Sequence, residues 1–114
     1  MPRDPQVYIE DILEAVRRIR SYTERMSPNE FAMSPITIDA VVRNLEIIGE
    51  AAARLPDVLR ARATDIEWRK IIGLRNILAH EYFGINTTIL WDVIANKVEP
   101  LERACRKMLE GGGR

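Results

Sequence analysis

A chain of 114 residues, 46% hydrophobic and 30% charged, carries enough apolar material for one buried core, which excludes a disordered chain. Lysine plus arginine and aspartate plus glutamate balance at 17 each, which excludes a polyanion binder working by net charge while leaving room for a local nucleic-acid patch. A single cysteine, Cys105, excludes an internal disulfide, there is no Cys/His cluster with metal-ligand spacing, and no apolar run approaches the roughly 20 residues of a membrane span.

The first element opens at Asp4-Pro5, an N-cap followed by proline at the first helical position. Ile9, Ile12, Leu13, Val16, Ile19, Tyr22 and Met26 then recur at spacings of three and four, which predicts a helix of about six turns with one apolar stripe. The start Met1-Pro2-Arg3 leads straight into this charged amphipathic pattern, so no signal peptide is expected and the cytoplasm is the expected compartment. Ser27-Pro28-Asn29-Glu30 has the form of a capping box and predicts a short helical turn around Phe31. A second long helix starts near Ser34-Pro35 with the stripe Ile38, Val41, Val42, Leu45, Ile48, Ala52 and Leu55, and Pro56 stops it.

Residues 56–64 read as a connector with a helical turn at Asp57 to Arg60. Thr64 or Asp65 is the expected cap of a third helix carrying Ile66, Ile71, Ile72, Leu74, Leu78 and Ala79, and Gly84 after Phe83 is a C′ glycine. Asn86 or Thr87 caps a fourth helix with Ile89, Leu90, Val93, Ile94, Val98, Leu101, Cys105 and Met108, in which Pro100 is expected to produce a kink or a split. Period-2 alternation is absent. Four long amphipathic helices with short connections predict an all-α, antiparallel four-helix bundle with a short extra helical turn. Residues 1–110 are expected to form one domain and 111–114 a flexible tail.

The one histidine, His80, is the first candidate for proton transfer, because its free pKa lies nearest neutrality. Arg75 stands five residues before it and Tyr82 two after. Arginine is 14 of 114 residues and tyrosine 3 of 114, so both at these offsets arise by chance in about one case in 310. At about 100° per residue, Asn76 and His80 stand one above the other, and Arg75 and Tyr82 form a neighbouring line. A phosphate can then meet Arg75, Asn76 and His80 together. His80 also lies a turn before the predicted helix end, where the dipole favours imidazolium. These residue types suit metal-free RNA cleavage. Histidine takes the 2′-hydroxyl proton or gives one to the 5′-oxygen, arginine stabilises the developing phosphorane charge, and Asn76 orients the phosphate or the imidazole. Each residue alone has a plainer reading: a capping histidine, a surface ion pair, a helix-surface hydrogen bond, a core-edge tyrosine. Cys105 reads as core, Trp68 and Trp91 as core or interface anchors, and Arg17, Arg18 and Arg20 as a solvated face.

The string Arg75-Asn76-x3-His80-x-Tyr82 resembles the motif of HEPN domains in the HepT toxin family. The resemblance extends through Tyr8–Leu13, Ala40–Ala51, Trp68–Asn76, His80–Gly84 and Trp91-Asp92, and spans about residues 5–109. It implies a dimeric helical bundle acting as a metal-independent ribonuclease without cofactor, with RNA rather than DNA as substrate. It also implies a type VII toxin–antitoxin system, whose partner is a small nucleotidyltransferase-fold antitoxin that transfers AMP from ATP to the motif tyrosine. Carried over by position, Arg75 and His80 are catalytic, Asn76 assists, and Tyr82 is the AMP acceptor. The apolar faces of the fourth helix, with Trp91 beside Leu90 and Ile89 beside Val93, fit an isologous dimer interface. The alternative reading is a non-catalytic module that binds nucleotide or RNA and regulates a nucleotidyltransferase.

Overall fold

The computed structural model describes residues 4–80 and 86–111, apart from the side chains of Ile77, Ala79 and His80. Among the described residues the regular structure is seven α-helices and one π-helical segment, with no strand. They are α1 Pro5–Thr23, α2 Pro28–Ala32, α3 Pro35–Arg54, α4 Asp57–Arg60, α5 Trp68–His80, α6 Thr87–Asp92, the π segment Val93–Lys97 and α7 Val98–Gly111.

The starts follow from local chemistry. Asp4 accepts from the Gln6 amide, Ser27 and Glu30 form a reciprocal capping box, and Ser34 accepts from the Thr37 amide, each ahead of a proline in the first turn. The expected run of α1 to Met26 is too long. The helix stops at Thr23, whose hydroxyl turns back to donate to the Ile19 carbonyl at 2.8 Å. Ser27 precedes Pro28 and is biased out of helical geometry, so the chain must leave the helix before it. Tyr22 is accordingly exposed rather than part of the buried stripe, and Thr23 is buried instead.

The start of α5 is also corrected. Neither Thr64 nor Asp65 opens it. A turn closed by the Ile66 amide on the Ala63 carbonyl comes first, and the helix begins at Trp68. The Trp68 indole donates to the carbonyls of Arg60 and Ala63, at 3.0 and 3.1 Å, and so pins the connector.

Helices α1, α3 and α7 supply most of the core, through Ile12, Val16 and Ile19, then Val41, Leu45, Ile48 and Ala52, then Val98, Leu101, Cys105 and Met108. Phe31 of α2 is fully buried and meets the Trp91 ring of α6 at 5.5 Å between centroids. Helix α1 packs on α3 and α7, and α5 packs on α3. Arg20 near the end of α1 pairs with Glu102 near the start of α7, and Tyr8 near the start of α1 shares a cleft with Arg54 at the end of α3. Both neighbours of α1 therefore run antiparallel to it, as a bundle with short connections requires.

Pro100 neither breaks nor ends the last helix. The irregularity is taken up one turn earlier, where the Val98 amide reaches back five residues to the Val93 carbonyl. Proline at 100 has no N–H for the Asn96 carbonyl and its ring crowds that carbonyl, so a wider turn there relieves both. No helix among the described residues is long and apolar enough to cross a membrane.

Candidate active site

Arg75 and Asn76 lie on α5, at the rim of a cleft of about 560 Å³. Its opposite wall is α3, with Arg43, Glu46, Ile47, Glu50, Ala51 and Arg54, and Tyr8 and Asp11 of α1 close one end. Three guanidiniums (Arg43, Arg54, Arg75) face three carboxylates (Asp11, Glu46, Glu50), so the cleft has no excess of charge, as expected from the balanced composition.

The placement of Arg75 is decided at Gly49. A methyl group at that position would lie 3.0 Å from the Ile71 carbonyl oxygen, 3.2 Å from Arg75 Cβ and 3.3 Å from the Arg75 amide. Glycine lets α3 and α5 approach this closely at the root of Arg75, where an added methyl would push its neighbours away by a few tenths of an ångström. The tip of the side chain is engaged as well: Arg75 Nη1 donates to Glu50 Oε2 at 3.0 Å. The other Glu50 oxygen accepts from Arg54, at 3.2 Å from Nε and 2.9 Å from Nη2. The two guanidiniums, Arg54 first and Arg75 second, hold the Glu50 carboxyl below the usual carboxylate range.

Asn76 is exposed and borders the same cleft as Arg75, so the structure brings these two expected site residues together. The backbone of α5 stays helical to His80, which puts position 80 one turn beyond position 76 along the same side of the helix. The side chain of His80, and Tyr82 and Gly84 altogether, lie outside the described residues. The expected convergence of His80 on Arg75 and Asn76, the place of Tyr82 at the mouth of the site and the glycine cap at Gly84 thus concern positions not described. Among the described residues no group of three or more histidine, cysteine, aspartate and glutamate side chains is placed to hold a metal ion.

Glu50, Gly49 and Arg54 carry no role in the reading of the sequence. Gly49 and Glu50 stand within the segment Ala40–Ala51 that resembles the family's second helix, but the likeness assigns them nothing. Which turn of α3 meets Arg75 depends on the register between the two helices, and periodicity along each helix separately does not contain it.

The lone cysteine lies in the core, as expected. Cys105 is fully buried, and burial pushes its thiol up to about 12. Arg17 and Arg18 pair with Glu14 on an exposed face, whereas Arg20 crosses to Glu102 at 2.5 Å.

Residues 12–108 match the family model described as Ribonuclease HepT-like. The chain is 35% identical over 108 residues to a protein of Caldanaerobacter subterraneus whose name proposes an RNase, covering 95% of this chain and 96% of that one. It is 33% identical to a protein of Thermococcus cleftensis named Probable ribonuclease HepT, over 95% and 98% of the two chains. A protein of Methanocaldococcus jannaschii, also named with reserve as an RNase, is 40% identical over 86% of this chain and 82% of its own. No solved structure matches the chain.

Proposed function

The chain belongs to the HepT-like ribonuclease family, and from that premise we propose that it cleaves RNA without a metal, at a site built from Arg75, Asn76 and His80. The observation that carries this reading is the juxtaposition of Arg75 and Asn76 on one cleft, with position 80 a turn further along the same helix. In the proposed reaction the 2′-oxygen attacks the phosphorus and the bond to the 5′-oxygen breaks. A base takes the 2′-hydroxyl proton and an acid gives one to the departing oxygen. His80 takes one of these roles, and the His80 of a second copy can take the other across a dimer cleft. Arg75 stabilises the charge on the non-bridging oxygens, and Asn76 holds the phosphate or the imidazole. Half-buried Ile71, Leu74 and Val93 line a groove of about 290 Å³ between α5 and the π segment, which supports a dimer that covers this side.

Purified chain incubated with RNA in EDTA is expected to cleave it, and His80→Ala and Arg75→Ala are each expected to lower the rate by about a hundredfold or more. Undiminished cleavage by His80→Ala would remove that residue from the site.

The physiological setting proposed is a type VII toxin–antitoxin pair in the cytoplasm. The chain is the toxin, and a nucleotidyltransferase-fold antitoxin neutralises it by moving AMP from ATP onto the Tyr82 hydroxyl, with release of pyrophosphate. A phosphate attached two residues from His80 in the sequence adds bulk and negative charge to the proposed site, which opposes RNA on both counts. Incubation with such an enzyme and ATP should add about 329 Da per AMP to the Tyr82 peptide, as expected for this covalent modification. The same gain in Tyr82→Phe would locate the acceptor elsewhere.

A further inference from the structure

We propose that Glu50 is a positioning residue for RNA cleavage: together with Gly49 it fixes Arg75 at both ends of its side chain and presents the guanidinium to the scissile phosphate. The inference rests on the reading of Arg75 as part of the cleavage site.

Two consecutive residues of α3 act on one residue of α5. Gly49 sets the root, since it lets α3 close on Ile71 and Arg75 to where a methyl would be crowded at 3.0–3.3 Å. Glu50 fixes the tip through the 3.0 Å contact from Nη1. The carboxylate is itself held from behind, because Arg54, one turn further along α3, donates to its other oxygen through both Nε and Nη2. Glu50 thus has a second tie that opposes its swinging after Arg75. Under the pull of both guanidiniums it also stays ionised across the neutral range in which RNA cleavage is measured.

The pair is 43% exposed on the arginine and 49% on the glutamate. At that exposure water screens the attraction, and its worth to folding is small. Its consequence is geometric. A free arginine side chain explores many rotamers, and each must be given up when a phosphate binds. One already held by a partner gives up less and meets the phosphate in register. Misplacement of a charge-stabilising group by about 1 Å is enough to cost one to two orders of magnitude in rate. Glu50 also brings a negative charge into a cleft meant for phosphate, and that charge opposes binding of the substrate. The two effects separate by substitution: a glutamine turned with its one amide oxygen toward Nη1 still accepts from Arg75, its NH2 group gives up the bond from Arg54, and the charge is gone.

The test uses the whole chain and single-turnover cleavage of an RNA oligonucleotide, with thermal unfolding recorded for each variant. Glu50→Ala is expected to lower the maximal rate about tenfold and to leave the concentration for half-saturation within about threefold. Glu50→Gln is expected to recover the rate to within about threefold of the parent and to bind RNA more tightly. In an Arg75→Ala background, where no cation remains at 75 to be held, Glu50→Ala should cost less than about twofold. Equal loss in Glu50→Ala and Glu50→Gln, no loss in either, or the same loss with and without Arg75 overturns the inference. Failure of the underlying reading looks different: a parent chain that does not cleave RNA, or an Arg75→Ala chain as fast as the parent, takes both down together.

Discussion

At the scale of single residues, the two glycines of the site region make opposite demands. Gly49 has backbone 3.0 Å from where a methyl would sit, whereas nothing lies within 4 Å of that place at Gly73. Replacing a mid-helix glycine by alanine gains about 0.5–1 kcal/mol from backbone entropy alone. At Gly73 that gain is unopposed within the chain, and Gly73→Ala should raise the melting temperature by a few degrees, roughly 2–6 °C for a domain of this size. At Gly49 the new methyl pushes on a carbonyl and on Arg75, a crowding that costs about 1–3 kcal/mol and cancels or exceeds the gain. Gly49→Ala is therefore expected to be neutral to about 2 kcal/mol less stable. It should also lose RNA cleavage out of proportion, because the helix that yields is the one that carries Arg75. Unfolding curves and cleavage rates of the two variants, measured side by side, check this. An active Gly49→Ala would mean that the two helices take up the methyl without displacing Arg75. Arg75 and Asn76 could be picked out in the sequence because their residue types and their spacing from His80 suit one reaction. Gly49 and Glu50 could not, because their part depends on a meeting between helices 25 residues apart.

At the scale of the elements, the sequence is most legible where one local interaction decides the outcome. Asp4, Ser27, Ser34 and Asn86 all cap the helices that their residue types predict. It is least legible where a distant partner intervenes, as at Trp68, whose indole holds the connector and delays α5. The last helix lies between these cases. Pro100 announces an irregularity, and the buried residues show why it takes the form of one extra residue. Leu90 and Val98 are both in the core, eight residues apart. A regular α-helix would leave them about 80° out of line, whereas one wider turn brings them back to within about 20°. Removing Ala95 together with Pro100→Ala should therefore give a regular helix with the same core face. Its cooperative melt is expected within about 5 °C of the parent. Removing Arg103 instead rotates Ala104, Cys105 and Met108, all now buried, by about 100° and should abolish cooperative unfolding. Equal damage from the two deletions, read by circular dichroism on heating, would show that the wide turn does not serve the alignment.

At the scale of the whole molecule, balanced composition hides an uneven use of charge. Glu14, Glu50 and Glu67 form their pairs on exposed surface, where screening leaves each worth little to stability. Glu102 differs. Its side chain is 16% exposed, it accepts from Arg20 of α1 at 2.5 Å and from Arg106 at 3.1 Å, and it ties the first helix to the last. Burial pushes its carboxyl up, but the hydrogen bonds from Arg20 and Arg106 outweigh that and leave it below the ordinary 4.5. A carboxyl with a lower pKa in the folded chain than in the unfolded one adds stability that is complete above the unfolded value. That stability disappears as the pH falls through the folded value. Glu102→Gln should therefore be less stable than the parent at pH 7, by about 1 kcal/mol once the exposure of Arg20 is allowed for. The difference should be constant down to about the ordinary 4.5 and narrow as the pH falls further. Melting temperatures of the two chains across this range give the test. A gap that stays constant into strong acid would mean that Glu102 holds α1 to α7 by its shape and hydrogen bonding, with its charge contributing nothing.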